Sequence, residues 1–319
     1  MNIHDEKVKY KKFRAVDVMF LTVEKYGPHY HTSDLEIIYC LNGTITIKCS
    51  HESLQLSEGE SFTASHRDIH TIESDSPENI VALFHLDLKS LSIPWSTLEK
   101  EIFIFENMHD DPAHFLDNSH EKILDILMLL ALLTTSTSRD EKIFFHASER
   151  LINMLVNNFT YVNYARREYN LPQNVKEMIS HMSAYIADNY RDKISISTFA
   201  EHSHFSKTYL ANFIKSNFQL TFNEILNYVR CTYAENMLLT TDKSNLEISN
   251  DCGFSDSKYF YNHFKKWYAV TPIQHKAWYE RFCKKPDMYR IYEDAEMKDF
   301  IEEYFCKYHS ARTIDIISR

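Results

Sequence analysis

Apolar residues follow two different periods along this chain, and the change of period divides it. In the first hundred residues they alternate or fall in short runs. Glu36–Leu41 and Thr44–Cys49 flank Asn42-Gly43, Leu54–Ser57 precedes Glu58-Gly59 and the run Glu60–Thr63, and Asn79–Leu86 forms a longer stretch. Short runs broken by turn residues predict many short strands, and Asn-Gly between two of them predicts a two-residue hairpin. Three of the four glycines, Gly27, Gly43 and Gly59, lie in this region at expected turns. The region reads as a small antiparallel barrel or sandwich.

Further on the spacing becomes three and four. Ile123, Ile126, Leu127, Leu130, Ala131 and Leu133 stripe a first helix over 119–133. Ser138-Arg139-Asp140-Glu141 has the form of a capping box opening a second helix to about residue 163, with Phe144, Phe145, Leu151, Ile152, Leu155 and Val156 on its apolar side. Two adjacent amphipathic helices predict an αα-hairpin, which either packs on the barrel or forms a dimer contact. Residues 166–175, with Pro172, read as a linker. Near the C-terminus Met297, Phe300, Ile301, Tyr304 and Phe305 stripe one more helix, too apolar on one side to stand alone.

Between linker and tail one pattern occurs twice, 50 residues apart. Tyr209-Leu210-Ala211-Asn212-Phe213-Ile214-Lys215 is followed by Thr221, and Tyr259-Phe260-Tyr261-Asn262-His263-Phe264-Lys265 by Thr271. In each copy positions 209, 210, 213 and 214 (or 259, 260, 263 and 264) share one helical face, leaving Asn and Lys outside it. A short helix precedes each copy, over 194–200 and 246–251. His202–Ser206 makes the first turn and Gly253 the second, where positive φ is expected; Ser206 and Asp256 are suited to cap the helices that follow. Helix, tight turn, second helix is the helix-turn-helix plan, whose second helix enters the DNA major groove.

These residues, together with Tyr185, Arg230, Ala234, Leu238, Cys252–Asp256, Lys266 and Pro272, resemble the signature of AraC/XylS-type transcription regulators over about 100 residues. The chain departs from the family at Gln219 and Ala269, where Gly is usual after each recognition helix, and at Asn212, where Arg is common. The resemblance implies a cupin-type sensor domain ahead of the DNA-binding domain. It also implies Lys207, Thr208, Ala211, Asn212, Lys215, Ser257, Lys258, Tyr261, Asn262 and Lys265 as DNA contacts, with a homodimer and RNA polymerase as partners.

A net charge of −10 looks wrong for a DNA binder until it is divided. Residues 1–174 carry 16 Lys/Arg against 26 Asp/Glu, residues 175–280 carry 11 against 11, and the remainder 8 against 8. The acidic excess therefore lies outside the repeated unit, whose lysines sit on or beside the two recognition helices and suit phosphate contact. The longest apolar run, 126–133, is far short of the ~20 residues that span a bilayer. The Lys-rich N-terminus has no apolar run behind it, and the six cysteines include no CxxC pair. A cytoplasmic protein with reduced thiols and no membrane association is expected.

The β-rich region carries one chemically distinctive set: His29, His31, Glu36 and His70. Their order is similar to the metal-binding set of enzymatic cupins, although Ser65 and Arg67 stand where the second cupin motif usually has Pro and Gly. Imidazole plus carboxylate suits Fe, Mn, Zn or Ni. Three readings stay open: His31, Glu36 and His70 bordering a small-molecule pocket, which is favoured; a metal site of all four; or surface and strand-end histidines.

The expected architecture is α+β and multidomain. A cupin-like antiparallel β-barrel sensor occupies 1–100, a helical dimerisation or packing region 101–165, a linker 166–176, an all-α domain with two helix-turn-helix units 177–280, and a helical tail 281–319. The expected function is a ligand-responsive, sequence-specific regulator that binds double-stranded DNA and a small-molecule effector, with no cofactor and no catalysis. The alternative is a metal-binding cupin, enzyme or metal sensor, fused to a DNA-binding domain.

Overall fold

A computed structural model describes residues 3–11, 14–50, 52–76, 78–90, 119–136, 140–158 and 172–309. The N-terminal part is one antiparallel sheet curled into a near-barrel. Its strands are β1 (His4–Asp5), β2 (Val16–Tyr30), β3 (Asp34–Asn42), β4 (Thr44–Cys49), β5 (Glu52–Ser57), β6 (Ser61–Ala64), β7 (His70–Glu73) and β8 (Ile80–Asp87). They lie in the order β5-β4-β7-β2-β8-β3-β6, with β1 pairing β2 in parallel off that path. β2 joins the two halves, pairing β8 over Val16–Leu21 and β7 over Lys25–His29. Its register shifts between Tyr26 and His29. Gly27 lies in that irregularity, inside the strand and not at the turn expected for it; a Cβ there would come within 2.7 Å of the Asp287 carboxylate.

The Asn42-Gly43 step also differs from expectation. β3 and β4 are consecutive but not hydrogen-bonded partners: β3 pairs β6 and β8, and β4 pairs β5 and β7. Gly43, at φ 78°, makes a corner at which the chain leaves one half of the barrel for the other. The packing around it demands this, since a Cβ on Gly43 would meet Ser76 and Asn79 at 2.9 and 3.1 Å. β3 is consequently buried on both faces. Leu35, Ile37 and Tyr39 enter a core shared with the helices, while Ile38 and Cys40 enter the barrel core with Leu21, Ile47, Ile72 and Leu83. Alternation places Glu36 on the barrel side.

Helices α1 (Ser119–Thr135) and α2 (Glu141–Asn158) cover the outer face of the sheet. Ser138 of the expected capping box lies outside the described residues, as do 159–163; Asp140 Oδ1 accepts from the backbone N–H groups of Lys142 and Ile143 at 3.0 and 3.2 Å. The tail begins not as a helix but as a strand. β9 (Met288–Tyr292) pairs with β2 over Phe20–Val23, and α10 (Asp294–Tyr308) then lays Met297, Ile301 and Tyr304 into the core shared by the sheet and α1. Burying three such side chains contributes roughly 1.5–3 kcal/mol each. The helical units between α2 and β9 are thus an insertion in the β-rich unit, anchored at both ends.

That insertion runs α3 (Gln173–Asn189), α4 (Ile196–Ser203), α5 (Lys207–Phe218), α6 (Phe222–Thr240), α7 (Asn245–Asp251), α8 (Ser257–Tyr268) and α9 (Pro272–Phe282). Gln173–Lys176, expected as linker, already belong to α3. Local signals fix the ends: Ser206 and Asp256 accept from the N–H groups of Tyr209 and Tyr259, and Ser195, Thr221, Ser244 and Thr271 form reciprocal capping boxes. Each helix-turn-helix unit has its own core, and α6 serves both, giving Phe222 and Leu226 to the first and Cys231, Ala234 and Leu238 to the second. Gly253 turns at φ 77° with the backbone of Arg191 within 2.5 Å of where a Cβ would stand, so no other residue fits.

The missing glycines have a structural consequence. Gln219 and Ala269 end the two recognition helices at φ 56° and 59°, in the left-handed region that costs an L-residue about 1–2 kcal/mol. Part of that cost is offset by the smaller unfolded-state entropy of a non-glycine residue. Ala269→Gly is therefore expected to stabilise the fold by about 0.5–1 kcal/mol in denaturant titration. A lower unfolding midpoint would show that the left-handed cap is not strained.

Candidate functional site

Three strands bring one set of side chains to a point inside the barrel. His29 and His31 come from the end of β2 and just beyond it, Glu36 from β3 and His70 from the start of β7. All four are buried, Glu36 and His70 completely, and a ligating atom of each lies within 4.8 Å of the others. Burial excludes the reading of these histidines as surface residues, although they do stand at or next to strand ends.

The orientation of the rings decides what the cluster can do. His29 Nδ1 lies 3.0 Å from Gly27 O, His31 Nδ1 3.0 Å from Glu6 O, and His70 Nδ1 3.0 Å from Asp68 O. A carbonyl oxygen only accepts, so each Nδ1 carries a hydrogen and each neutral ring presents a lone pair at Nε2. The three Nε2 atoms stand 3.5, 3.2 and 2.5 Å from a single oxygen, Glu36 Oε2. Three lone pairs facing a buried carboxylate require a positive charge among them, either a proton or a metal ion. With a proton, the hydrogen bond and charge of Glu36 outweigh burial and raise His31 to about 9. Glu36, despite burial, is held well below the usual carboxylate range by His70 and the other two histidines. Burial and the neighbouring His29 hold His70 down, so positive charge is not shared evenly.

The donor set also fits a metal. Atoms each bonded at about 2.0–2.2 Å to one ion stand roughly 3 Å apart; the three Nε2 atoms lie 2.5–3.5 Å from Glu36 Oε2, and the four ligating atoms lie within 4.8 Å of one another. Histidines whose distal nitrogens are fixed by backbone carbonyls are the usual outer support of such a centre. Two further residues, which the sequence reading passed over, complete the surroundings. His85 on β8 stands opposite Glu36 in the β3–β8 register, its Nε2 3.3 Å from Glu36 Oε1. Glu6, beyond β1, places Oε2 3.8 Å from His29 Nε2 while its Oε1 accepts from Tyr26 at 2.8 Å. The alternation of the run 79–86 contained the signal for His85; nothing local marked Glu6, which arrives by tertiary pairing of β1 with β2.

The second assembly is the outer surface of the recognition helices. Lys207, Thr208, Ala211, Asn212 and Lys215 on α5 are exposed, as are Lys258, Asn262 and Lys265 on α8, with Ser257 and Tyr261 partly so. Several of these also hold local structure. Lys215 Nζ donates to Gln219 O at 2.8 Å, and the Tyr261 hydroxyl accepts from Asn245 Nδ2 at 2.7 Å. Lys266 is paired with Glu224 at 2.7 Å. The equivalent Tyr209 and Tyr259 have diverged, since Tyr259 is bonded to Asn227 on α6 and Tyr209 stacks on the exposed Phe205.

Comparison with known proteins assigns both parts. The helix-turn-helix domain family matches residues 199–277, and the cupin domain family residues 19–86. An uncharacterised HTH-type transcriptional regulator of Staphylococcus aureus is 22% identical over 279 residues, 85% of this chain and 36% of that protein. The melibiose operon regulatory protein of Escherichia coli is 32% identical over 98 residues, 31% of this chain and 32% of that protein. The chain thus spans about a third of the length of these curated relatives. Among solved structures, the C-terminal domain of the response regulator yesN from Fusobacterium nucleatum is 35% identical with a TM-score of 0.30, covering 33% of this chain and 99% of that one. ToxT from Vibrio cholerae is 12% identical with a TM-score of 0.43, over 84% of this chain and 98% of that one. A cupin domain joined to a helix-turn-helix domain, with transcription regulators as relatives, makes the chain similar to AraC-type regulators.

Proposed function

We propose that this chain is a metal-responsive transcription regulator: its cupin domain holds a divalent first-row transition metal at His29, His31, Glu36 and His70, and its two recognition helices read DNA. The observation that carries the metal reading is the convergence of three Nε2 lone pairs, each fixed by a backbone carbonyl, on one oxygen of a fully buried carboxylate. A bound ion would supply a buried positive charge; the chain's residues supply neutral imidazoles held in one tautomer and a carboxylate shielded from solvent. The role is binding and not turnover, in keeping with relatives that are regulators. A small organic effector bordered by His31, Glu36 and His70 remains compatible as a further ligand. Homodimerisation, contact with RNA polymerase and a cytoplasmic location complete the regulator reading. Among the described residues no helix is long and apolar enough to cross a membrane.

The DNA reading draws on exposed Asn212 and Asn262 at equivalent positions of two capped helices. Asn pairs bidentately with adenine N6 and N7, worth about 1–3 kcal/mol of discrimination. Asn262→Ala is expected to relax an adenine preference at one operator position while leaving the others intact. Affinities for a complete set of single-base operator variants measure this, and an unchanged profile contradicts it. Lys265→Ala should instead weaken binding to all sequences and lower the salt slope by about one unit.

For the metal, the full chain should bind one zinc or manganese ion per chain in calorimetry. Free metal at 100 times its Kd stabilises the fold by about 2.7 kcal/mol, so chelation is expected to lower Tm by several degrees. His70→Ala should abolish both the binding and the chelator-sensitive part of Tm. A chain that takes up no metal and melts identically with and without chelator contradicts the proposal.

A further inference from the structure

We infer that the segment Ser65–His70 couples occupancy of the histidine cluster to the second helix-turn-helix unit, so that metal and DNA affect each other's affinity through it. This rests on the reading of the cluster as a metal site, and concerns how that site is heard by the rest of the chain.

The segment joins β6 to β7 and is tied to the cluster on one side. Arg67 N–H donates to His31 O at 2.7 Å, and Asp68 O accepts from the ring of His70 at 3.0 Å. Its own turn is closed by Asp68 N–H on Ser65 O and by Ser65 N–H on the Asp68 carboxylate, both at 3.0 Å, with Arg67 at φ 71°. The same residues reach the helical units on the other side. Ile69 is 1% exposed and packs with Leu239 of α6 and Tyr279 of α9, flanked by Trp278. The Tyr279 hydroxyl donates to Ile69 O at 3.4 Å, and Arg67 Nη1 to the Tyr233 hydroxyl at 3.4 Å.

Ile69 and His70 are adjacent, and successive side chains at the start of a strand point to opposite faces. His70 therefore faces the cluster while Ile69 faces the helices, with one planar peptide between them. A displacement of His70 toward an ion is transmitted to Ile69 with little slack. From there the path enters α6, whose Glu235 accepts from the hydroxyl of Tyr268, the last residue of recognition helix α8, at 2.8 Å and from His275 at 2.7 Å. Ser50, in the β4–β5 turn, donates to the same carboxylate at 3.0 Å. The barrel thus holds the second recognition helix through a buried polar group and a small apolar cluster, both next to the segment that carries a ligand. For occupancy of the cluster to act on DNA binding, this junction must pack differently in its two states, because a ligand shifts an equilibrium only through differential affinity. Reciprocity then follows, because each ligand must change the other's affinity by the same factor.

The experiment measures that factor on the full chain at fixed salt, using zinc and a duplex selected from a random pool. Duplex Kd is determined with zinc and with chelator, and zinc Kd with and without duplex. The parent is expected to show a change of about tenfold, equal in the two directions of measurement. The double variant Arg67→Ala/Tyr279→Phe, which keeps the packing of Ile69, is expected to bind zinc and duplex separately but to reduce the factor to less than twofold. Ile69→Ala should do the same. A parent factor below twofold with zinc bound overturns the inference alone, as does a double variant that retains the full factor. Failure of the parent to bind zinc overturns the metal reading and the inference with it.

Discussion

A carboxylate removed from water has to be compensated where it stands, and Glu36 is removed from water on every side. Its Oε2 faces three imidazole nitrogens and its Oε1 faces a fourth, that of His85. Because backbone carbonyls hold the hydrogen on the far side of three of these rings, the near side is rich in lone pairs. The interior of the barrel is therefore arranged around a positive charge that the side chains supply only by taking up a proton. Much of the local architecture serves this arrangement: the irregularity at Gly27 that offers its carbonyl to His29, the N-terminal strand that offers Glu6 O to His31, and the closed turn that offers Asp68 O to His70.

The second constraint is the way the chain returns. β9 adds to β2 opposite Phe20–Val23, and α10 closes the core against α1, so the paired helix-turn-helix units leave and re-enter one folded body. An insertion tethered at both ends has fewer relative orientations than a domain on a single linker, and that restricts the postures the recognition helices can take. Lys25, near the tail's start, strengthens the closure through Asp287 at 3.0 Å and by standing over the ring of Phe282.

What the sequence made legible follows the range of the interactions involved. The recognition helices were readable because their signals are local: Ser206 and Asp256 cap within three residues, and Leu210, Ile214, Phe260 and Phe264 stripe within four, whereas the short helix read over 194–200 runs Ile196–Ser203 and takes in His202 and Ser203 of the expected turn. The histidine set was readable as residue types at a spacing, but not as a convergence. Period-two alternation says which face Glu36 occupies and not which strand lies beside it, and Asn42-Gly43 has the composition of a hairpin although barrel packing makes it a corner. The apolar stripe Met297–Phe305 announced a buried helix without naming its partner. Met288–Tyr292 gave less still, since four of its five residues are exposed and its partner, Phe20–Val23 of β2, lies more than 260 residues earlier in the chain.

In the proposed holo form the charge at Glu36 is met by a metal ion held by three imidazoles. X-ray absorption at the metal K edge, on full-length protein loaded with one equivalent of zinc, tests it most directly. Nitrogen and oxygen neighbours at about 2.0–2.2 Å, with more distant scattering from three imidazole rings, are expected, and both should be lost in His70→Ala. A shell with fewer than three imidazoles, or one containing sulfur, would contradict it.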